Sequence, residues 1–312
     1  MKWSQYYILI LSFFLSGFSM GQDYEVVDAT IELYPTNFSS VEELSKFISR
    51  DFTSEEEKVR AIYTWIIRNV AYDPEEYKQF NYNFKNYRER NTKEEITRKK
   101  VIQRTLKMGI AVCEGYAMLF ERLCELQGVS NYLVRGDIKS NFNDIGRPFK
   151  KVHMWNVAMI DGQAFLFDAT WGAGKYNGKF IREPSYFYYK TPPEQFIKTH
   201  YPHLQEDTFL AEIFTREDFA AIPLLINEQL LLSDIASPTR GVISSLDEDG
   251  MINFNIRNIV PSTISYSFGN EKKAIAYLEL EGGIQFSIPI QLGKENLLIY
   301  FDDKPALGYK VK

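Results

Sequence analysis

Three side chains whose types together suit acyl transfer, a thiol, an imidazole and a carboxylate, stand at Cys113, His153 and Asp168. Cys113 lies in Gly109-Ile110-Ala111-Val112-Cys113-Glu114-Gly115-Tyr116-Ala117, which feeds an apolar helix through Leu119, Phe120, Leu123 and Leu126. A cysteine at such a helix mouth meets unpaired backbone N–H groups and the positive end of the dipole, which favour the nucleophilic thiolate. His153 and Asp168 flank Asp161-Gly162, the strongest short-range signal for a two-residue hairpin turn. That turn sets Trp155 opposite Asp168 and His153 opposite Thr170. Imidazole and carboxylate then become diagonal neighbours on one sheet face, with Cα atoms roughly 7–8 Å apart; a one-residue slip would separate them. In such a set Cys113 attacks a carbonyl, His153 takes and later returns the proton, and Asp168 holds the ring in the productive tautomer. The Cys113 backbone N–H is the natural oxyanion donor.

These groups need a helical part, a buried cysteine helix and an antiparallel sheet. Tyr24 to Leu33 reads as a short extended lead. Val41 to Ile48 reads as a short amphipathic helix, and Ser54 with Glu57 as a capping box opening a helix through Val59, Ile62, Tyr63, Ile66 and Val70. Tyr63 and Trp65 belong to the core. Thr92 to Leu106 is a helix whose many Lys and Arg residues suit a solvated face. Gly128 ends the cysteine helix in the position where a left-handed backbone is needed. Cys124 lies eleven residues beyond Cys113, about 16 Å along that helix, whereas a disulfide needs Cα atoms within about 7 Å. The two therefore stay unpaired, with Cys124 in the core. Asn131 to Ile138, Lys151 to Ile160 and Gln163 to Ala169 read as strands. From about Leu224 the pattern changes to short alternating strands: Leu230 to Ser233, Met251 to Ile256, Thr263 to Phe268, Ala274 to Leu280, Ile284 to Ile290 and Asn296 to Phe301. This predicts a small all-β sandwich over 224–312 after a first domain over 22–223.

A hydrophobic content of 45% and an aromatic content of 15% specify folded domains, and the net charge of −5 comes with no basic stripe. Nucleic acid and anionic membrane are thus not expected partners. Met1-Lys2, the apolar run Tyr7 to Phe18 and the small residues of Ser19-Met20-Gly21 read as an export signal cleaved near Gly21/Gln22. The run is shorter than the roughly 20 residues a membrane span needs, so the expected location is secreted or periplasmic without stable membrane insertion. No cluster has zinc-ligand spacing and no calcium-loop pattern is present. The reading therefore names no metal and no cofactor, and gives His200 and His203, beside Pro202, surface or structural roles.

Ala111-Val112-Cys113-Glu114-Gly115-Tyr116-Ala117, His153-Met154-Trp155-Asn156 and Phe167-Asp168-Ala169-Thr170-Trp171-Gly172 resemble the three catalytic segments of the transglutaminase-like superfamily. Ile62 to Ile66 with Tyr72-Asp73 resembles its leading helix. Pro193 to Pro202 is similar to the segment that follows the domain in kyphoscoliosis-peptidase-like members. The resemblance covers roughly residues 55 to 225. It implies an α+β, papain/transglutaminase-like core with Cys113 as nucleophile, His153 as base and Asp168 as orienting residue. Ala111 stands where many members have glycine. The implied activity is acyl transfer on amide or peptide bonds of a protein or peptide substrate, with hydrolysis favoured over transamidation. Trp155 and Trp171 are candidates for the wall of the site, against a packing role. The competing expectation is a non-catalytic binding or scaffold protein of the cell envelope, its β domain holding a protein or glycan ligand.

Overall fold

The computed structural model describes residues 24–79, 87–244, 250–269, 271–291 and 293–312; the expected export signal lies outside them. Five helices build the first part: α1 (Glu25–Glu32), α2 (Val41–Asp51), α3 (Glu55–Asn69), α4 (Tyr87–Met108) and α5 (Cys113–Leu126). The lead expected to be extended is helix α1. Its apolar Val27 and Ile31 are four residues apart, so both face the core on one side of a helix. Asp28 turns to Arg60 and Thr64 of α3. The Ser54–Glu57 capping box opens α3, and Tyr63 and Trp65 are buried. On α4 the basic residues are more than solvated. Arg104 makes a two-pronged pair with Glu76, and Arg98 pairs with Glu121 of α5.

Helix α5 is buried on most sides, and Gly128 follows it with φ +76°. At its start a Cβ on Gly115 would lie 2.5 Å from Thr105 Oγ1 and 2.6 Å from the Ala111 Cβ. Only glycine lets the mouth of α5 sit flush on α4.

Helix α5 packs on a five-stranded antiparallel sheet ordered Tyr189–Thr191, Gln163–Phe167, His153–Ile160, Asn131–Ile138, His200–Pro202. Asp161 and Gly162 both adopt positive φ, +50° and +78°, and the hairpin holds the register their spacing predicts from Ile160↔Gln163 to Asn156↔Phe167. There the ladder stops. Asp168 leaves the strand to cap a short helix, α6 (Ala169–Ala173), so neither the Trp155–Asp168 nor the His153–Thr170 pair forms. His153, now the first residue of its strand, is opposite Gly136.

The C-terminal part is two facing sheets. One runs Leu224–Leu225, Lys304–Val311, Asn296–Phe301, Ile264–Ser267, Lys273–Ile275, with Val242–Ile243 also against Lys304–Val311. The other runs Asp234–Ser237, Met251–Arg257, Gly283–Pro289, Leu278–Leu280. Ile252, Phe254, Ile256, Ile284, Phe286 and Ile288 alternate inward, with Phe254 stacked on Phe286 at 4.7 Å. Two expectations change here. Leu230 to Ser233 is part of a helix, Glu228–Leu232, because Asn227 caps it by accepting from Gln229 N. Ala274 to Leu280 is split between the two sheets, since its two ends pair with different partners.

Candidate active site

Cys113 is the first residue of α5, with Val112 extended before it. Gly115 is the first to find an acceptor, Val112 O at 2.9 Å. The preceding N–H groups of Cys113 and Glu114 thus crown the helix mouth with no acceptor inside the helix. The cysteine is only 1% exposed. Its Sγ donates to Glu114 Oε2 at 3.3 Å, and the Tyr77 hydroxyl lies 3.4 Å from it. Tyr77, by contrast, is 43% exposed. Cys124 sits buried and free elsewhere on α5, and burial pushes its thiol far above the ordinary range.

The imidazole of His153 bonds through Nε2 to Asp168 Oδ2 at 2.7 Å. The Cys113 thiol, a neighbour of the ring, favours its charged form. The carboxylate is held from both ends. Oδ1 caps α6, accepting from Thr170 N at 2.8 Å and Trp171 N at 3.1 Å. Oδ2 takes a second ring as well: His200 Nε2 at 3.0 Å. His200 is fully buried, lies face to face with Phe196 at 4.2 Å, and meets Thr199 Oγ1 through Nδ1 at 2.8 Å. Burial opposes charge on all three groups, and their partners decide the outcome. The carboxylate of Asp168 and the thiol of Cys113 overcome burial at His153 and raise it to about 10. At His200 burial wins and lowers it to about 4. The two imidazoles hold Asp168 well below the usual carboxylate range despite its burial. One carboxylate thus holds two rings whose tendencies to ionise are pushed in opposite directions. The three ligand atoms fall within 4.8 Å of one another, a spacing that also suits a metal ion. Both nitrogen–oxygen separations are hydrogen-bond lengths, and the cluster is read here as hydrogen-bonded.

The two tryptophans offered as wall residues differ in exposure. Trp155 is 1% exposed, packs on Phe196 and His200, and its Nε1 has no partner. Trp171 is half-buried, its ring 4.6 Å from that of His200 and 6.3 Å from that of His153. Tyr63 fixes the Asp168 turn from behind: its hydroxyl donates to Ser185 O at 3.1 Å, and it occupies the place a Cβ on Gly172 would need. Tyr77 and Glu114, the two hydrogen-bond neighbours of the thiol, also line a groove of about 1080 Å3. Met118, Leu133 and Met154 are among its apolar lining, and Arg98, Arg135, Lys151 and Asp207 among its charged lining.

Two residues escaped the sequence reading. Tyr77 lies on a short 3-10 turn with no periodic signal. His200 sits on a three-residue strand, and its structural role places it on the carboxylate itself. The signal that pointed there was Thr199-His200-Tyr201-Pro202 within the resembling segment.

Residues 39–182 match the family model of the transglutaminase-like domain. The kyphoscoliosis peptidases of Mus musculus and Homo sapiens are 33% and 32% identical over 170 residues, 53% of this chain and 23% of theirs. The chain therefore spans about a quarter of the length of these curated relatives. Among solved structures, the crystal structure of a TGase aligns with a TM-score of 0.30 and 17% identity, over 57% of this chain and 40% of that one.

Proposed function

We propose that this protein, whose residues 39–182 match the family model of the transglutaminase-like domain, cleaves amide or peptide bonds through an acyl-enzyme on Cys113. The observation that carries this reading is the 2.7 Å bond from the His153 ring to Asp168, with the Cys113 thiol at the mouth of α5 near enough to favour the charged ring. As a thiolate, Cys113 adds to the substrate carbonyl carbon, and the oxyanion faces the N–H groups at the mouth of α5. The imidazolium of His153 gives its proton to the departing amine, leaving a thioester. His153 then takes a proton from water, the hydroxide attacks the thioester, and the carboxylic acid leaves with the thiol restored. An amine in place of water would make the same site a transamidase. The name of the relatives, kyphoscoliosis peptidase, favours water. The groove lined by Tyr77 and Glu114, with apolar side chains and charges of both signs in its wall, suits a polypeptide substrate. Export to the periplasm or beyond is part of the proposal, resting on the run Tyr7 to Phe18. N-terminal sequencing of the secreted protein, expected to begin at Gln22, checks it.

Iodoacetamide labelling at pH 7 tests the catalytic reading, with Cys113→Ala as the blank. Cys113 should alkylate faster than a model thiol, and an activated ester should leave a trappable acyl group on it. A rate no faster than the model thiol, with no acyl adduct, ends the proposal.

A second reading, a binding module, draws on the nearly complete cover of the sulfur and on the C-terminal domain. On the outer face of its four-stranded sheet, Asn253, Asn255, Gln285 and Ser287 line an uncharged groove of about 520 Å3 that suits a neutral polyhydroxyl or peptide ligand. Full cellular function in Cys113→Ala would favour this reading.

A further inference from the structure

The structure assigns His200 a positioning role: it is a neutral hydrogen-bond donor that shares the Asp168 oxygen with His153 and so sets how firmly the carboxylate holds the catalytic ring. This rests on the function proposed above and adds a fourth residue to it.

The geometry makes the assignment. Asp168 Oδ2 accepts from two rings, His153 Nε2 at 2.7 Å and His200 Nε2 at 3.0 Å, while Oδ1 is occupied by the two N–H groups of α6. A buried carboxylate flanked by two imidazoles cannot keep both charged, since the second charge would lie beside the first with no further anion to answer it. His153 has that further partner, the thiol of Cys113. His200 has instead a hydroxyl, Thr199 Oγ1 at 2.8 Å from Nδ1, and the apolar faces of Phe196 and Trp171. A hydroxyl donates readily to a bare ring nitrogen. Asp168 as an anion can only accept, so the ring proton sits on Nε2 and Nδ1 accepts from the Thr199 hydroxyl, whose other acceptor, Phe196 O, is farther at 3.3 Å. His200 thereby draws off part of the negative charge on Oδ2 without adding a positive one.

The ionisable groups around this set are few. From α5 come Cys113, Glu114 and Tyr116; from α3, Tyr63; from the segments before α4, Tyr72 and Tyr77; and just before the strand Tyr189–Thr191, Tyr188. Burial drives the phenols of Tyr63 and Tyr188 upward, so they stay neutral through the working range.

Removing the His200 donor leaves Oδ2 with one ring to satisfy, so its hold on the His153 imidazolium tightens. Iodoacetamide alkylation of Cys113, followed from pH 4 to 11 in the full-length protein, reads this directly. Its alkaline transition marks loss of the imidazolium beside the sulfur. In His200→Phe, which keeps the stacking on Phe196, that transition should rise by about half to one pH unit, the worth of one neutral hydrogen bond. In His200→Gln, whose amide reaches the same oxygen, it should return to the wild-type position. Should the Phe variant fail to fold by circular dichroism, His200→Asn replaces it, its shorter amide stopping short of Asp168. An unmoved transition in a folded donor-less variant overturns the assignment, as does an equal shift in His200→Gln. Both outcomes require a reactive Cys113 in the wild type; an inert wild-type thiol would instead sink the function proposed above.

Discussion

Replacing Asp168 by asparagine tests the division of labour most sharply, because the change is one atom deep. Asparagine caps helices as well as aspartate, so Oδ1 can go on accepting from Thr170 N and Trp171 N. What changes is the other end. Where an anionic oxygen took bonds from two rings, an NH2 group now offers protons to them. His153 must then accept at Nε2, which puts its proton on the nitrogen facing the sulfur. In that tautomer it cannot take the proton of the thiol. The electrostatic loss runs the same way. His153 stands at about 10 because Asp168 and Cys113 overcome burial; without the anion, burial acts almost alone and the imidazolium is gone at neutral pH. An ordinary thiol, with a pKa near 8.5, is only about 3% ionised at pH 7. Alkylation of Cys113 at pH 7 should therefore fall about 30-fold or more. Acyl transfer, which also needs the proton returned, should fall about 10^4-fold. Stopped-flow or mass-spectrometric labelling of Asp168→Asn against wild type, with thermal unfolding to show that the cap holds, makes the comparison. A folded variant that alkylates at the wild-type rate would refute the reasoning.

Tyr77→Ala should raise the alkylation rate of Cys113 roughly 2- to 10-fold at pH 7, the equivalent of the one hydrogen bond holding the ring over the sulfur; a slower rate would mean that the phenol activates the thiol and does not cover it. Stability should decline on both sides of neutrality, and urea midpoints measured across pH check the sign. His153, raised to about 10 in the folded protein, stabilises fully below pH 6.5 and loses that contribution as the pH rises through 10. His200, lowered to about 4, stabilises fully above pH 6.5 and loses that contribution as the pH falls through 4. His200→Phe should flatten the acid flank by up to about 1.4 kcal/mol per pH unit, and an acid flank as steep as in wild type would show that His200 is not held neutral.

The sequence was most readable where a local rule fixes geometry. Ser54 with Glu57 opens α3, Gly128 closes α5, and Asp161-Gly162 sets a register that holds to Asn156↔Phe167. The hairpin rule also erred instructively. It brought His153 and Asp168 together by carrying the ladder three pairs too far, to His153–Thr170, whereas the contact arises because Asp168 has left the ladder to cap α6. Tyr24 to Leu33, read as extended, is a helix because Val27 and Ile31, four residues apart, share one buried face. His200 was beyond local rules altogether. It comes from 32 residues after Asp168, on a strand of three residues that takes its place only by pairing with Ile138 at the far edge of the sheet. No period can show in three residues, and the burial that keeps this histidine neutral is a property of the assembled sheet.

The capping role of Asp168 also explains why the carboxylate stands on so short a side chain. Its rotation is set by two backbone N–H groups of α6, not by its own rotamer preferences, because Oδ1 cannot leave them without stripping the first turn of its acceptor. With one oxygen fixed by the backbone, the other is aimed by default, and both rings approach an acceptor whose place is decided by the start of a helix. A glutamate would carry the charge just as well but would cap less well and add a freely turning bond. The precision asked of the His153 ring is thereby transferred to the backbone of Ala169–Ala173, and that turn is braced from behind by the Tyr63 hydroxyl on Ser185 O.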